Sequence, residues 1–471
     1  MNMKWTTCLT LVLFCLPGSA IATEAKPNVL VLISDDQRPD TIHALGNPRI
    51  QTPNLDALAK TGSVFTKAIC GYPICTPSRA EILTGCNSFQ SGVFDFGRSI
   101  DQKRVRWAQA MQAGGYHTCY VGKWHNDHRP GDHGYVESRG LFSGGGGKYW
   151  KDQTDHHGRP VTGYRGWIFQ TDDRKKMFPE RGVGLTPDIS AKFADAAISL
   201  IEDDLDKPFF LHVNFTAPHD PLHMPPGYEN KYKPADMLVP KNFRAEHPFD
   251  HGNFNGRDEK LLPWPRTKKI VQADLAVYYA VVSHLDEQVG RIVAALKQSG
   301  KYDNTIIIYS SDHGLAMGSH GLRGKQNMYE HTINVPMIFH GPGIPQGKKY
   351  ESSMYLRDLY PTVCDLVGIP IPETVTGKSV LPILQGKTAA IYEQVFGYFR
   401  DSQRMVRSDD WKLIVYPQAG KTQLFDMNKD PLELHNLAGN SQYDAVLQQL
   451  KTKLHNWQKQ VDDPLLKTTA Q

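Results

Sequence analysis

Four short strings of reactive side chains each follow an apolar run. Ser34-Asp35-Asp36 follows residues 28–33, Gly122-Lys123-Trp124-His125 follows 117–121, Ala217-Pro218-His219-Asp220 follows 209–215, and Ser310-Ser311-Asp312-His313-Gly314 follows 305–309. Short runs rich in branched apolar residues read as buried strands of a parallel sheet. Open sheets of that kind present their ligands at the carboxyl ends of the strands, so carboxylates, a lysine and histidines should converge on one edge. Singly, each string is bland: an Asp-Asp pair after a strand is most often a helix cap or turn, and a histidine between Pro218 and Pro221 is usually a loop residue. A fifth string, Cys75-Thr76-Pro77-Ser78-Arg79, carries a proline suited to the first turn of a helix. Residue 75 should therefore stand just before a helix amino terminus, where unpaired N–H groups and the helix dipole favour an anion.

The fifth string extends to Gly85 and matches, at every fixed position, the pattern C-x-P-S-R-x-x-x-L-T-G. Chance would produce it on the order of once in a million chains of this length. That pattern is the signature of the formylglycine-dependent sulfatases of the alkaline phosphatase superfamily. The chain resembles them over nearly its whole mature length, with the motifs Asp-Asp, Cys-x-Pro-Ser-Arg, Gly-Lys-x-His, Pro-His, Asp-His-Gly and Gly-Lys in order. The stretch 321–330, Gly-Leu-Arg-Gly-Lys-Gln-Asn-Met-Tyr-Glu, resembles bacterial carbohydrate sulfatases in particular. His313 stands where many members carry asparagine and where some, including iduronate-2-sulfatase-like enzymes, carry histidine.

The resemblance implies a mechanism and a set of roles. A formylglycine-generating maturation enzyme reads the motif on the unfolded chain and oxidises Cys75 to an aldehyde (3-oxoalanine), whose hydrate attacks sulfur and then expels sulfate. Asp35, Asp36, Asp312 and His313, with an oxygen of modified residue 75, would hold a divalent cation. Carboxylate oxygens point to calcium, and His313 is the unusual ligand of the set. Arg79 would brace the diol and the metal carboxylates. Lys123, Lys325 and His219 would meet the sulfate oxygens, with His219 or Lys325 protonating the leaving alcohol. His125 would remove the second diol proton. His320, Arg323 and His331 are weaker candidates for the substrate pocket. The substrate implied is a sulfated oligosaccharide or polysaccharide; a phosphodiester or phosphonate ester acted on by the same nucleophile is the alternative.

The elements that must position these groups follow from pattern. Apolar runs, a further one at 335–339, and helical stretches at 187–202 and 268–297 give an α/β fold: a large mostly parallel sheet flanked by helices. Within 268–297, Val271, Leu275, Tyr278, Val282, Leu285, Val289, Ile292 and Leu296 keep a three-or-four spacing expected to cover a sheet face. From about residue 393 short segments at 394–400, 404–407, 411–416 and 423–426 predict a small antiparallel sheet, closed by a helix near 443–458. Leu424-Phe425-Asp426, Asp430-Pro431-Leu432-Glu433 and Asn436-Leu437 resemble the sulfatase carboxy-terminal subdomain. The expected organisation is a leader at 1–22, a catalytic domain at 23–392 and an α+β subdomain at 393–471.

Residues 1–22 combine Lys4, an apolar stretch and Gly18-Ser19-Ala20-Ile21-Ala22, the pattern of a signal peptide, so a secreted or periplasmic protein without a membrane anchor is expected. A net charge of +4 on 471 residues is mild, and no basic helix or finger motif calls for nucleic acid. Cys70, Cys86, Cys119 and Cys364 allow either disulfides or buried thiols. The irregular stretch 144–184 carries Lys148, Tyr149, Trp150, Arg159, Tyr164, Arg165 and Trp167, side chains able to stack on sugar rings or bind acidic groups. Asn214-Phe215-Thr216 fits a glycosylation pattern but reads as core.

Overall fold

The computed structural model describes residues 26–408 and 410–468; the expected leader and Cys8 and Cys15 within it lie outside them. Ten strands form one sheet: β1 (Asn28–Ser34), β2 (Ser63–Ile69), β3 (His117–Lys123), β4 (Glu137–Ser143), β5 (Ile168–Phe169), β6 (Phe209–Asn214), β7 (Thr305–Ser311), β8 (Asn334–Val335), β9 (Met337–His340) and β10 (Lys348–Tyr355). The order is β10-β2-β9-β7-β1-β6-β3-β4-β5, with β8 beside β2. The centre, β7-β1-β6-β3-β4, is parallel throughout, whereas β9 and β5 run antiparallel to their neighbours. The sheet is thus mixed, with a parallel core. Val29 of β1 lies between Phe210 of β6 and Ile306 of β7, and burial on both faces explains the unbroken apolar runs.

One expected strand is two. The run 335–339 breaks at Pro336, which has no N–H for a ladder, and β8 and β9 flank it, both antiparallel to β2. The helices Ile189–Glu202 and Lys268–Gln298 match their predicted positions closely. All eight stripe residues of the longer helix are buried, but only its second half, from Leu285 to Leu296, packs on the sheet; Val271 to Val282 pack under Leu222, Met237, Leu315 and Met317. Helices Cys75–Thr84, Trp107–Ala113 and Leu359–Leu366 cover the opposite face.

A second, four-stranded antiparallel sheet follows: β11 (Val395–Phe399), β12 (Gln403–Arg407), β13 (Trp411–Tyr416) and β14 (Lys421–Asp426). Its strands alternate. Val406, Leu413 and Leu424 meet Leu447, Leu450 and Leu454 of helix Asp444–Gln460, while Met405, Ile414 and Phe425 meet Tyr72, Ile74, Met328 and Tyr329 of the larger unit. Cys70, Cys75, Cys86, Cys119 and Cys364 are buried free thiols. Asn214, Phe215 and Thr216 are buried. No helix among the described residues is long and apolar enough to cross a membrane.

Candidate active site

The strand ends do converge. β1 runs into Asp35 and Asp36, β7 into Asp312 and His313, β3 ends on Lys123, and β6 ends on Asn214 shortly before His219. Cys75 is the first residue of its helix, one position further in than the sequence predicts, because the carbonyl of Ile74 already accepts from Ser78 N at 3.0 Å. The motif's small polar residues fasten this helix to the strand ends. Ser78 Oγ donates to the Asp312 carbonyl at 2.6 Å, and Thr76 Oγ1 to the His125 carbonyl at 2.8 Å. Gly122, at φ +95°, lies where a Cβ would come within 2.0 Å of the Asn214 carbonyl, so the glycine before Lys123 is a packing requirement between β3 and β6.

Cys75 Sγ is 3.6 Å from both Asp35 Oδ1 and Lys325 Nζ. Lys123 Nζ donates to Asp35 Oδ2 at 2.5 Å and Tyr164 OH to the same oxygen at 2.7 Å. Lys325 Nζ bridges both oxygens of Asp36 at 2.8 and 2.9 Å and reaches His219 Nε2 at 2.8 Å. Arg79 Nε donates to Asp312 Oδ2 at 3.1 Å, and its Nη1 to Asn214 Oδ1 at 2.5 Å. Asp36 takes a left-handed backbone, φ 66°, held by Tyr278 OH donating to its carbonyl at 2.6 Å.

Burial disfavours charge on Asp35, Asp312, His219 and His125, and partners decide the outcome. Asp35 is held well below the usual carboxylate range because Lys123, His219 and Arg79 outweigh its burial. Asp312 is pushed up by burial and by the charge of Asp35. Burial lowers His219, with Lys325 adding to it against Asp36, and burial together with Lys123 puts His125 well below its ordinary value.

Asp35, Asp36, Cys75 and His313 each offer one ligand atom, all within 4.8 Å of one another. Asp312 Oδ1 adjoins them, accepting from Asp36 N at 3.2 Å, and His313 Nε2 is buried without a hydrogen-bond partner. Buried carboxylate oxygens gathered this closely fit a hard divalent cation, with the His313 ring, its Nε2 3.7 Å from Asp312 Oδ1, as the one ligand outside that preference.

A cavity of about 480 Å³ opens over Cys75. His125, Tyr164, Trp167, His219 and Lys325 line it, as do Phe96, Arg257 and Arg400. His320, Arg323 and His331 do not, which corrects their assignment to the pocket. The His320 ring stacks on Tyr329 at 3.9 Å, and the His331 ring lies 5.7 Å from it, beneath the C-terminal sheet. Arg323 is fully buried behind the cavity wall, 3.4 Å from Asp220 and 3.6 Å from Asp274. The chain turns at Gly321 and Gln326, both at positive φ, and delivers Lys325 and Gln326 to the cavity while its neighbours face inward.

From the irregular stretch only Gly163, Tyr164 and Trp167 reach the cavity. Lys148 lies over the Tyr149 ring, Trp150 packs against Gly184, Arg159 pairs with Asp155 and Asp274, and Arg165 Nε donates to the Val161 carbonyl. Sequence reasoning missed Asn214 as the partner of Arg79; its place at a strand end was the available signal. It also missed Arg257 and Arg400, for which the sequence carries none.

The Sulfatase family model matches residues 27–369, and that of the N-sulphoglucosamine sulphohydrolase C-terminal region matches 318–460. An arylsulfatase of Clostridium perfringens is 30% identical over 90% of this chain and 93% of its own. An N-acetylglucosamine-6-O-sulfatase of Bacteroides thetaiotaomicron is 27% identical over 93% and 87%. The crystal structure of a phosphonate monoester hydrolase of Agrobacterium radiobacter superposes with a TM-score of 0.77 at 25% identity, over 93% of this chain and 96% of that one. With the large mixed sheet of the alkaline phosphatase-like fold and these matches along almost its whole length, the chain belongs to the sulfatase family, enzymes that hydrolyse sulfuric esters.

Proposed function

We propose that this protein is an exported sulfatase that removes sulfate esters from sugars of an anionic polysaccharide, using formylglycine made from Cys75 and a calcium ion held by Asp35, Asp36, Asp312 and His313. The observation that carries the reading is Cys75 at the floor of the cavity, 3.6 Å from Asp35 Oδ1 and from Lys325 Nζ. Oxidised and hydrated, residue 75 would supply one oxygen to attack sulfur as the bond from sulfur to the sugar oxygen breaks, and a second whose deprotonation would break the C–O bond to sulfate and restore the aldehyde. Bound among the carboxylates, the cation would polarise the ester and acidify the attacking hydroxyl.

The chain's own groups do the rest. Lys123 and Lys325 bring ammonium charge to the sulfate oxygens, where transfer concentrates negative charge. His219 Nδ1 faces the Asp220 carbonyl at 2.5 Å and so carries the ring hydrogen, which leaves Nε2 to accept from Lys325. Lys325 is therefore the proton donor to the leaving alcohol, with His219 fixing its direction. His125 lines the cavity with Nδ1 unpaired by protein, and serves as the base for the second proton. Arg79, tied to Asp312 and Asn214, holds the carboxylates in register. Tyr164 and Trp167 offer ring faces for a sugar.

The test is sulfate release, read by ion chromatography, from a panel of sulfated oligosaccharides, using protein co-produced with a formylglycine-generating enzyme. Release from one sugar type, absent in Cys75→Ala, is expected. No release, with residue 75 shown by peptide mass to be the aldehyde, overturns the reading. The likeness to a phosphonate monoester hydrolase favours phosphorus esters as the second reading, and paired sulfate and phosphonate esters on one preparation separate the two.

A further inference from the structure

Three cationic side chains line the cavity, and they are not equivalent. Lys325 is held by Asp36, and Arg257 by Asp220 at 2.5 Å and by Asp258; all three carboxylates are buried. Arg400 stands apart. Its Nη2 is 2.8 Å from Asp95 Oδ2, and both side chains are open to solvent, 42% and 34% exposed. An ion pair of that kind contributes about 0–1 kcal/mol, so a ligand anion displaces Asp95 at little cost.

Arg400 is also fixed in place. It belongs to the β11–β12 turn at φ +43°, its N–H donates to Tyr72 OH at 3.1 Å, and its carbonyl accepts from Arg404 Nη1 at 2.5 Å. Arg404 is itself clamped by both oxygens of Asp463, at 2.6 and 2.7 Å. Beside Asp95, Phe96 is 46% exposed and lies against the His125 ring at 5.3 Å. One corner of the cavity thus presents a planar donor fork on a braced turn next to an open aromatic face.

We propose that this corner is a second anion subsite. Arg400, brought in by the C-terminal sheet, binds a further carboxylate or sulfate on a sugar whose ring rests on Phe96, so that the enzyme selects sugars carrying two anionic groups. A guanidinium pairs with either oxyanion through two parallel hydrogen bonds. A cavity of about 480 Å³ falls in the usual range for small-ligand sites, about 300–1,000 Å³. The inference rests on the sulfate-ester reading above and deepens it.

The experiment uses Cys75→Ala protein, which retains the pocket without the nucleophile. It is titrated calorimetrically with sugars in matched sets: one sulfate, the same sugar with a second sulfate, and the same sugar linked to a uronate. The second charge is expected to tighten binding, and Arg400→Ala to reduce that gain about ten- to a hundredfold, with Arg400→Lys between. Asp95→Asn should tighten binding of the doubly charged sugars. Which set responds identifies the second group as sulfate or carboxylate. The subsite is overturned if the gain survives Arg400→Ala, if Asp95→Asn weakens binding of the doubly charged sugars, or if no doubly charged sugar binds better than its singly charged match. Sulfate release by the matured wild-type protein is measured separately. Release without an Arg400-dependent gain removes this inference alone, and Arg400-dependent binding without release removes the reaction reading alone.

Discussion

Lys325 touches Asp36, His219 and Cys75 at once, which makes its loss informative about leaving groups. A sugar alcohol needs a proton as it departs, whereas nitrophenolate does not. Lys325→Ala should lower kcat/KM on a sugar sulfate by about 10²–10⁴ and on 4-nitrophenyl sulfate by distinctly less; equal losses would deny Lys325 the acid role. The carboxylates yield a second prediction. Asp35 and Asp312 are buried close enough for the charge of one to push up the other, so an ion among them should stabilise the folded state by binding it alone. Calcium should raise the Tm of chelator-stripped protein, and Asp312→Asn should shrink that shift. These groups were legible in the sequence because each ends an apolar run, and strand ends share an edge. His320, Arg323 and His331 were not, because spacing along a loop does not say which side chains turn toward the cavity and which turn under Tyr329.

The C-terminal hairpin supports the cavity from behind. Gln403, fully buried on β12, donates through Nε2 to the carbonyls of His251 and Gln326, at 2.8 and 2.9 Å, and Gln326 follows Lys325 in the cavity wall. His251 lies in the same layer, its ring 5.2 Å from that of His247, both its nitrogens buried without a protein partner. Burial, and then His247, lower it to about 3. Since an unfolded histidine titrates near 6.5, the unfolded chain takes up a proton here between pH 6.5 and 3 and the folded one does not. Stability conferred by this site is complete above pH 6.5 and is lost as pH falls, by about 1.4 kcal/mol per pH unit. His251→Asn should flatten the acid limb of the unfolding free energy measured by urea titration at several pH values; an unaltered slope would rule the site out. The antiparallel sheet itself was legible, since its strands alternate, but the contact of its hairpin with the cavity was not. Arg400 lies 325 residues from Cys75 in sequence, and no local pattern encodes such a meeting.

The whole molecule is less divisible than a boundary near residue 392 suggests. Tyr72, Ile74, Met328 and Tyr329 are almost fully buried, and the C-terminal sheet is what packs on them. Lys412 on β13, fully buried, pairs with Glu330 of the larger unit at 3.0 Å. A chain ending at residue 392 would expose that apolar layer and leave Glu330 without Lys412 and Arg407. It should be insoluble or bind a hydrophobic dye strongly; a soluble, cooperatively melting fragment would contradict this.

All ten residues of helix Cys75–Thr84 are buried, and that fact has a kinetic meaning. On the reading proposed above, a maturation enzyme that reads residues 75–79 on the unfolded chain loses its grip on them once they are buried in this helix, so conversion of Cys75 would compete with folding during synthesis. The proportion of aldehyde in a preparation would then be set at birth and would not drift. Two batches with identical folds and identical melting behaviour would then differ in specific activity, and that ratio would record how the two processes were matched in the cell that made them.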